Sequence, residues 1–349
     1  MTAARPVVAT IVARNYLAFA RVLAKSLHAY HPRVPVFVIV IDAGDGERHD
    51  LEARVEVIPI DGLGMTNLRD VCFEHSCQEL AVLLKPFLLR HLLDRGFSPA
   101  VFLDPDVLVA GDMTTVFDEA ARHAVTLTPH LLHPLGGAAR IDRELNILQS
   151  GTFNAGFVGI SQCGTARDAL TWWQDRLSAK CSHAIAEGAY YDQRWLDLLP
   201  AMFDGVGVLR DPGCNVAYWN LPERDLQESP AGLFVNGGPL RFCHFSGFDP
   251  EQRHTPSRYA GRHWDNADLP RIYTRYAQQL FAAGYRSSCP LPYRFGFFDN
   301  GVPIPPLARD LHRSLGHAAA DFGDPFATGQ PRSFYAWLTD CHPQALANA

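Results

Sequence analysis

The sequence predicts an α/β fold built on a Rossmann-like, doubly wound mixed sheet, followed by a mostly helical or irregular C-terminal extension. Three observations predict it. Short, unbroken apolar runs rich in β-branched residues recur through the first hundred residues, the pattern of strands buried on both faces of a parallel sheet. Segments with apolar residues at helical spacing separate those runs, and such alternation implies crossover helices on both faces. After about residue 250 the texture changes: aromatic and basic residues interleave, and prolines crowd 289–306. Residues 1–250 are therefore expected to form the main domain and 251–349 the extension.

Val7 to Ala13 reads as the first central strand. From Tyr16 to Tyr30 the residues Leu17, Ala20, Ala24 and Leu27 fall at helical spacing until Pro32 stops the pattern. Val36 to Ile41 is a second buried strand, ending on Asp42, and Val55 to Ile60 a third. Gln78 to Leu93 reads as a helix bent or begun near Pro86, and Ala100 to Leu103 as a fourth strand. In such folds ligands bind beyond the carboxyl ends of the strands, and Asp104 sits at such an end. Further on, the alternation weakens. Ala124 to Thr128 and Phe157 to Ile160 look like strands, Ala166 to Leu177 and Tyr191 to Leu199 like helices, with Trp172 and Trp173 packed in the core.

A chain of 349 residues, 47% hydrophobic and 19% charged, can bury a sizeable core. Its net charge of -6 argues against any general affinity for nucleic acid, which needs a basic footprint. Met1 to Pro6 lack the basic segment and apolar core of a secretory signal, and no later apolar run approaches about 18 residues. The expectation is a cytoplasmic chain without a membrane-spanning segment. Eight scattered cysteines read as reduced core thiols, and the one tight cluster, Cys72, His75 and Cys77, fits no standard zinc spacing.

The segment Val101-Phe-Leu-Asp104-Pro-Asp106-Val-Leu-Val109 places two carboxylates two residues apart, where an apolar strand ends and Pro105 interrupts its ladder. Both can reach one ion. Hard cations such as Mn²⁺ or Mg²⁺ favour carboxylate oxygens and keep positions open for phosphate. A lone Asp-x-Asp arises by chance about once in a chain of this length, and two acids capping a solvated turn would look the same.

Its companions are more specific. Val8-Ala-Thr-Ile11 with Asn15-Tyr16 and Ser26-Leu27, Lys85, Phe102-Leu-Asp-Pro-Asp-Val107, Phe153-Asn-Ala-Gly-Phe157, Asp192-Gln193 and His244-Phe-Ser-Gly247 occur in one order. Together they resemble the GT-A-fold glycosyltransferases of the family 8 type, which include bacterial lipopolysaccharide sugar transferases and glycogenin-like enzymes. The resemblance implies a GT-A domain over 1–250 that uses Mn²⁺ or Mg²⁺ and a nucleotide-sugar donor, UDP-sugar foremost. It implies Asp104, Asp106 and His244 as metal ligands, and Ala9, Thr10, Tyr16, Lys85, Asp104 and Gly247 around the donor. Asn154, Asp192 and Gln193 are implied at the transferred sugar, with retention at the anomeric carbon. One departure stands out: after the late histidine the family runs into a Lys-Pro-Trp-like segment, whereas this chain reads Phe245-Ser-Gly-Phe-Asp-Pro250.

Tyr293-Arg-Phe-Gly-Phe-Phe-Asp-Asn-Gly-Val-Pro-Ile304, Asp324-Pro-Phe326 and Phe334 to Leu338 resemble segments attached to such modules in bacterial polysaccharide glycosyltransferases. That implies a cell-surface glycan or lipid-linked glycan acceptor, at the inner face of the membrane and with peripheral contact allowed. Tyr259, Trp264 and Tyr276 are candidates for stacking on acceptor sugars, or for packing the extension down. Two other readings stay open: a haloacid dehalogenase-like phosphatase with Asp104 as nucleophile, and a silent sugar-nucleotide-binding module.

Overall fold

The apolar runs of the first hundred residues become four adjacent strands on one side of a seven-stranded sheet, the largest among the described residues. The computed structural model describes residues 5–44, 46–47, 49, 51, 54–138, 140–230, 232–252, 254–260 and 271–346. β1 (Val7–Val12) is flanked in parallel by β2 (Val36–Val40), with β3 (Val55–Val57) beyond, and on its other side by β4 (Ala100–Leu103). β5 (Val107–Val109) leaves the sheet; β6 (Val125–Pro129) and β7 (Phe153–Ile160) return to it. β7 runs antiparallel between β4 and β6. A short hairpin of β8 (His183–Ala184) and β9 (Ala189–Tyr190) follows, then β10 (Val206–Val208) at the sheet edge. β11 (Leu226–Ser229), β12 (Gly232–Val235) and β13 (Gly238–Pro239) form a separate antiparallel sheet, and β14 (Phe242–His244) pairs with β5.

Alternate residues of β1 feed two cores, as strand geometry requires. Val8 and Val12 pack with α1 (Leu17–Tyr30), while Val7, Ala9 and Ile11 face α2 (Leu68–Glu74), α3 (Cys77–Leu83) and α4 (Lys85–Asp94). The helix expected over Gln78–Leu93 is thus two. Ser76 and Glu79 form a reciprocal capping box at the start of α3, and Pro86 occupies the first turn of α4, where its missing N–H leaves no bond unmade. Next come α5 (Thr114–Arg122), α6 (Arg140–Ser150) and α7 (Gly164–Ala179), whose Trp173 is in the core as expected. β7 begins at Phe153, four residues before the apolar run starts, and the stretch expected as one helix from Tyr191 breaks into α8 (Gln193–Leu196) and α9 (Leu199–Met202).

The last hundred residues share these cores. Ile272, Tyr273 and Tyr276 of α10 (Arg271–Ala282) pack with Phe19 and Val22 from α1, and α11 (Tyr285–Ser288) also contacts that helix. Phe298, Ala308 of α12 (Pro306–Leu315), Phe326 and Phe334 of α13 (Phe334–Cys341) join the core beneath β1.

Candidate active site

The chain runs outward from β1 through β2 to β3, then returns to β4 on the other side of β1. Loops leaving neighbouring strands in opposite directions open a crevice at their carboxyl ends. β4 delivers the acidic pair there. The Asp104 amide donates to the Gly156 carbonyl at 2.9 Å, and the Val107 amide donates to the Asp104 carbonyl at 3.1 Å. Pro105 presets the φ of the second residue in that tight turn. Asp104 and Asp106 therefore project from one turn, braced from behind by the β5–β14 pair, in which His244 lies opposite Val107.

His244 is buried, with Nε2 3.2 Å from Asp106 Oδ1 and 3.8 Å from Asp104 Oδ2. Its Nδ1 lies 3.1 Å from the side-chain oxygens of both Asn154 and Asn215. Two acceptors at Nδ1 put the proton there, which leaves Nε2 aimed at the carboxylates, the arrangement of a metal-ligating histidine with an orienting partner. Burial alone would lower the imidazole's pKa; Asp106 first and Asp104 after it outweigh that and raise it. Burial would likewise raise Asp106, but His244 holds it below the ordinary carboxylate value. A Cβ on Gly156 would come within 2.3 Å of His244 Cε1 and 2.7 Å of Nδ1, so only glycine at this point of β7 lets the imidazole approach.

Lys85, the first residue of α4, is buried beside the pair. Its Nζ ion-pairs with Asp104 Oδ1 at 3.1 Å and Asp192 Oδ2 at 2.9 Å, donates to the Ala155 carbonyl at 3.1 Å, and lies 4.8 Å from the centre of the Phe102 ring. Burial would lower its pKa, and the two carboxylates instead hold it above the ordinary lysine value. Asp192 is pushed up by its own burial, with Lys85 pulling the other way. With His244 in the neutral form that a metal ligand needs, three ionised carboxylates against one ammonium would leave two negative charges, the deficit that a divalent cation fills. Asp104, Asp106 and His244 offer ligand atoms within 4.8 Å of one another, and no other such group of three occurs among the described residues. Two carboxylates with one imidazole can hold a divalent cation.

Asn154 reaches this cluster through an irregularity in β7. Pairing with β6 shifts between Leu127, opposite Val158, and Thr128, opposite Asn154; such a bulge re-aims a side chain. Asn154 Oδ1 also accepts from the Gly156 amide at 3.1 Å and from Asn215 Nδ2 at 3.2 Å, while its Nδ2 donates to Gln193 Oε1 at 3.1 Å. Gln193 Oε1 accepts from the Ala155 amide at 3.2 Å, and its Nε2 donates to the Ser150 carbonyl at 2.9 Å. Asp192 immediately precedes α8, yet its side chain caps nothing there and turns to Lys85.

Asn154, Asp192, Gln193, Lys85, Asp104 and His244 line one cavity of about 410 Å³. Asp106 sits beneath, reaching it through His244. Ala9 and Thr10 lie mid-strand in β1, fully buried, and do not line it. Tyr16 stacks on Phe19 with ring centroids 4.5 Å apart, and burial, then Asp106, pushes its hydroxyl up to about 12. Gly247 has φ +67°, and a Cβ there would strike the Tyr259 ring at 2.6 Å, so it seats that tyrosine. Tyr259 lines the cavity, Tyr276 is instead buried against Phe245 with centroids 3.9 Å apart, and Trp264 lies outside the described residues. Tyr276 is therefore a packing residue and cannot stack on a ligand.

Sequence reasoning missed several residues. Asn215 adopts φ +52°, a left-handed conformation that asparagine tolerates, and its position two residues after Gly213 was the only available hint. His130 and Trp219 also line the cavity, ring centroids 5.1 Å apart, and burial pushes His130 down to about 4. At the carboxyl end of β1 the Asn15 side-chain oxygen is buried without a hydrogen-bond partner among the described residues.

No protein-family model matches the chain. It is 24% identical over 286 residues to the uncharacterized protein YfnF of Bacillus subtilis (strain 168), covering 78% of this chain and 90% of that one. It is 26% identical over 245 residues to the uncharacterized protein YfnD of the same organism, covering 68% and 76%. Among solved structures it is similar to the galactosyltransferase LgtC in complex with donor and acceptor sugar analogs, at 18% identity over 78% of this chain and 95% of that one, TM-score 0.45. It is also similar to the glycosyltransferase GlyE of Streptococcus pneumoniae TIGR4, at 15% identity over 84% of this chain and 66% of that one, TM-score 0.45.

Proposed function

We propose that this chain is a metal-dependent glycosyltransferase of the GT-A type, moving a hexosyl group from a nucleoside diphosphate sugar, UDP-sugar foremost, to an acceptor hydroxyl. The observation that carries the reading is the Asp104, Asp106 and His244 triad at a strand carboxyl end, opening into a cavity lined by Asn154, Asp192 and Gln193. In this reading residues 1–250 supply the metal ligands and the sugar-facing side chains, and the 251–349 extension packs against them and adds Tyr259 to the cavity wall. A bacterial cell-surface or lipid-linked glycan is the proposed acceptor, approached from the cytoplasmic side.

In this reading Asp104, Asp106 and His244 Nε2 hold Mn²⁺ or Mg²⁺. When bound, the ion supplies Lewis-acid neutralisation of the departing diphosphate. Lys85 fixes Asp104 and Asp192 relative to each other, so neither carboxylate reorganises as charge develops. Asp192 faces the positive charge growing at the anomeric carbon, while Asn154 and Gln193 orient the sugar through their linked amides. Retention follows if the acceptor attacks from the leaving-group face and gives its proton to the departing phosphate, which requires no protein base.

The test is a screen of nucleotide sugars with Mn²⁺, reading released nucleoside diphosphate. Release from at least one UDP-sugar, abolished by chelator, is expected. Strong hydrolysis of an aryl phosphate with no release from any nucleotide sugar would favour a phosphatase using Asp104 as nucleophile. Binding of UDP with Mn²⁺ but no turnover would favour a silent binding module.

A further inference from the structure

Backbone N–H and C=O groups have fixed polarity, so they settle which end of a neighbouring side-chain amide is oxygen and which is nitrogen. The Gly156 amide donates across 3.1 Å to one terminal atom of Asn154, which is therefore the oxygen. The Ala155 amide donates to Gln193 Oε1 at 3.2 Å and the Ser150 carbonyl accepts from Gln193 Nε2 at 2.9 Å, so this amide too stands only one way round. The rest of the network follows from those two. The Asn215 atom 3.2 Å from the Asn154 oxygen must be its nitrogen, which leaves its own oxygen facing His244 Nδ1. Asn154 Nδ2 faces Gln193 Oε1 at 3.1 Å and His130 Nε2 at 3.4 Å. Buried and neutral, His130 turns its Nδ1 to the Thr152 carbonyl, and its Nε2 is left as an acceptor.

Counting partners decides what Asn154 can do. Its nitrogen spends both hydrogens, on Gln193 and His130, and its oxygen is shared among the Gly156 amide, Asn215 Nδ2 and His244 Nδ1. Asn154 borders the cavity, buried, with no polar atom left for a ligand. Gln193 differs by one bond, because the second hydrogen of its Nε2 has no partner among the described residues.

We propose that Asn154 is a positioning residue and not a contact to the transferred sugar: with Asn215 it holds a proton on His244 Nδ1 and leaves Nε2 as the ligand atom. Asn215 does this from outside the cavity, which it does not line. Two acceptors are needed because Asp106, 3.2 Å from Nε2, competes to draw the proton of a neutral imidazole to its own side. A proton there would block the lone pair that a cation needs. Only the consequence for the sugar rests on the transferase reading. In that reading Asn154 acts on the sugar through Gln193, whose remaining Nε2 hydrogen is the one donor the two amides present.

The experiment uses the full chain labelled with ¹⁵N-histidine, in which the His244 signal is the one that His244→Gln removes. Without metal, wild-type Nδ1 should carry a proton that exchanges slowly with water. Asn154→Ala and Asn215→Ala should each speed that exchange at least tenfold. A second arm titrates Mn²⁺ with no nucleotide present. Both variants should bind it about tenfold more weakly than wild type, typical of losing a ligand's orienting partner. Asn146→Ala, which alters the same cavity wall outside the network, should bind it as wild type does. A sugar contact predicts instead that Asn154→Ala keeps wild-type Mn²⁺ affinity and loses affinity for nucleotide sugars alone. That result, an unprotonated Nδ1 in wild type, or exchange unaltered in both variants would overturn the proposal. Should wild type take up no Mn²⁺, the metal reading fails and the exchange arm still decides the role of Asn154. Should Asn154→Ala not fold, Asn215→Ala and the wild-type Nδ1 signal carry the test.

Discussion

Lys85 and Arg309 are both buried cations that join distant parts of the chain, but their acceptors differ in kind. Lys85 is met by two carboxylates and one carbonyl, and both carboxylates border an open cavity. Arg309, on α12, donates to the carbonyls of Phe73, His75 and Phe295. Around it Phe73 packs against Phe298, Phe326 and Phe334, with centroids 5.8, 5.1 and 5.5 Å away. Backbone dipoles can satisfy a guanidinium fully, so Arg309 clasps the C-terminal segment to α2 and is finished. Lys85 instead serves Asp104 and Asp192 and leaves Asp106 to His244, so the cluster turns negative whenever that imidazole is neutral, as a metal ligand must be. Burial of charge is common to both; only an unbalanced cluster facing a cavity points to chemistry.

Substitutions should separate the two regions. Asp106→Ala should lower turnover by about 10³-fold or more, the scale of losing Lewis-acid stabilisation, with a smaller loss of stability than the clasp's, because His244 loses one partner and keeps Asp104 nearby. Arg309→Met should do the reverse: about 3 kcal/mol of stability is lost in denaturant titration as three buried carbonyls lose their donor, while kcat per folded molecule is unchanged. If the two variants exchanged phenotypes, the distinction between cavity and clasp would collapse.

His130 sharpens the comparison on the cavity side. Burial holds its pKa at about 4 in the folded chain, below the ordinary histidine value. Its contribution to stability is therefore complete above about pH 6.5 and is lost as pH falls toward 4, because the unfolded chain takes up the proton first. Wild type should lose stability more steeply than His130→Gln across that window, by on the order of 1–3 kcal/mol. Parallel curves would mean that His130 carries no such penalty. Smallest of all, Gly156→Ala should weaken Mn²⁺ binding about tenfold, typical of disturbing a ligand's support, because its methyl group would press on His244 and on the Asn154 oxygen that orients it. Unchanged affinity would show that the imbalance tolerates a moved imidazole.

Sequence alone carried the central strands and the acidic pair, since both are local: β-branched runs read as buried strands, and Asp104 and Asp106 lie two residues apart. The start of β7 was hidden because Asn154 and Gly156 are poor strand formers. They belong there for the site, one reaching His244 and the other making room for it. Lys85 was expected on the donor, yet its closest partners are Asp104 and Asp192, a pairing across 107 residues from Lys85 to Asp192 that no spacing rule reaches. Asn215 was invisible for the same reason, lying in a loop held by a left-handed backbone. α6 escaped notice because its apolar residues face outward, against the rule that an amphipathic stripe turns to the core.

The central claim is that the negative cluster beside Lys85 exists to hold a divalent cation for a nucleoside diphosphate. Calorimetric titration of UDP into the protein with Mn²⁺, with chelator, and into Asp106→Ala with Mn²⁺ tests it most directly. The account predicts binding in the first titration alone. UDP binding of equal strength in all three, or in none, would contradict it.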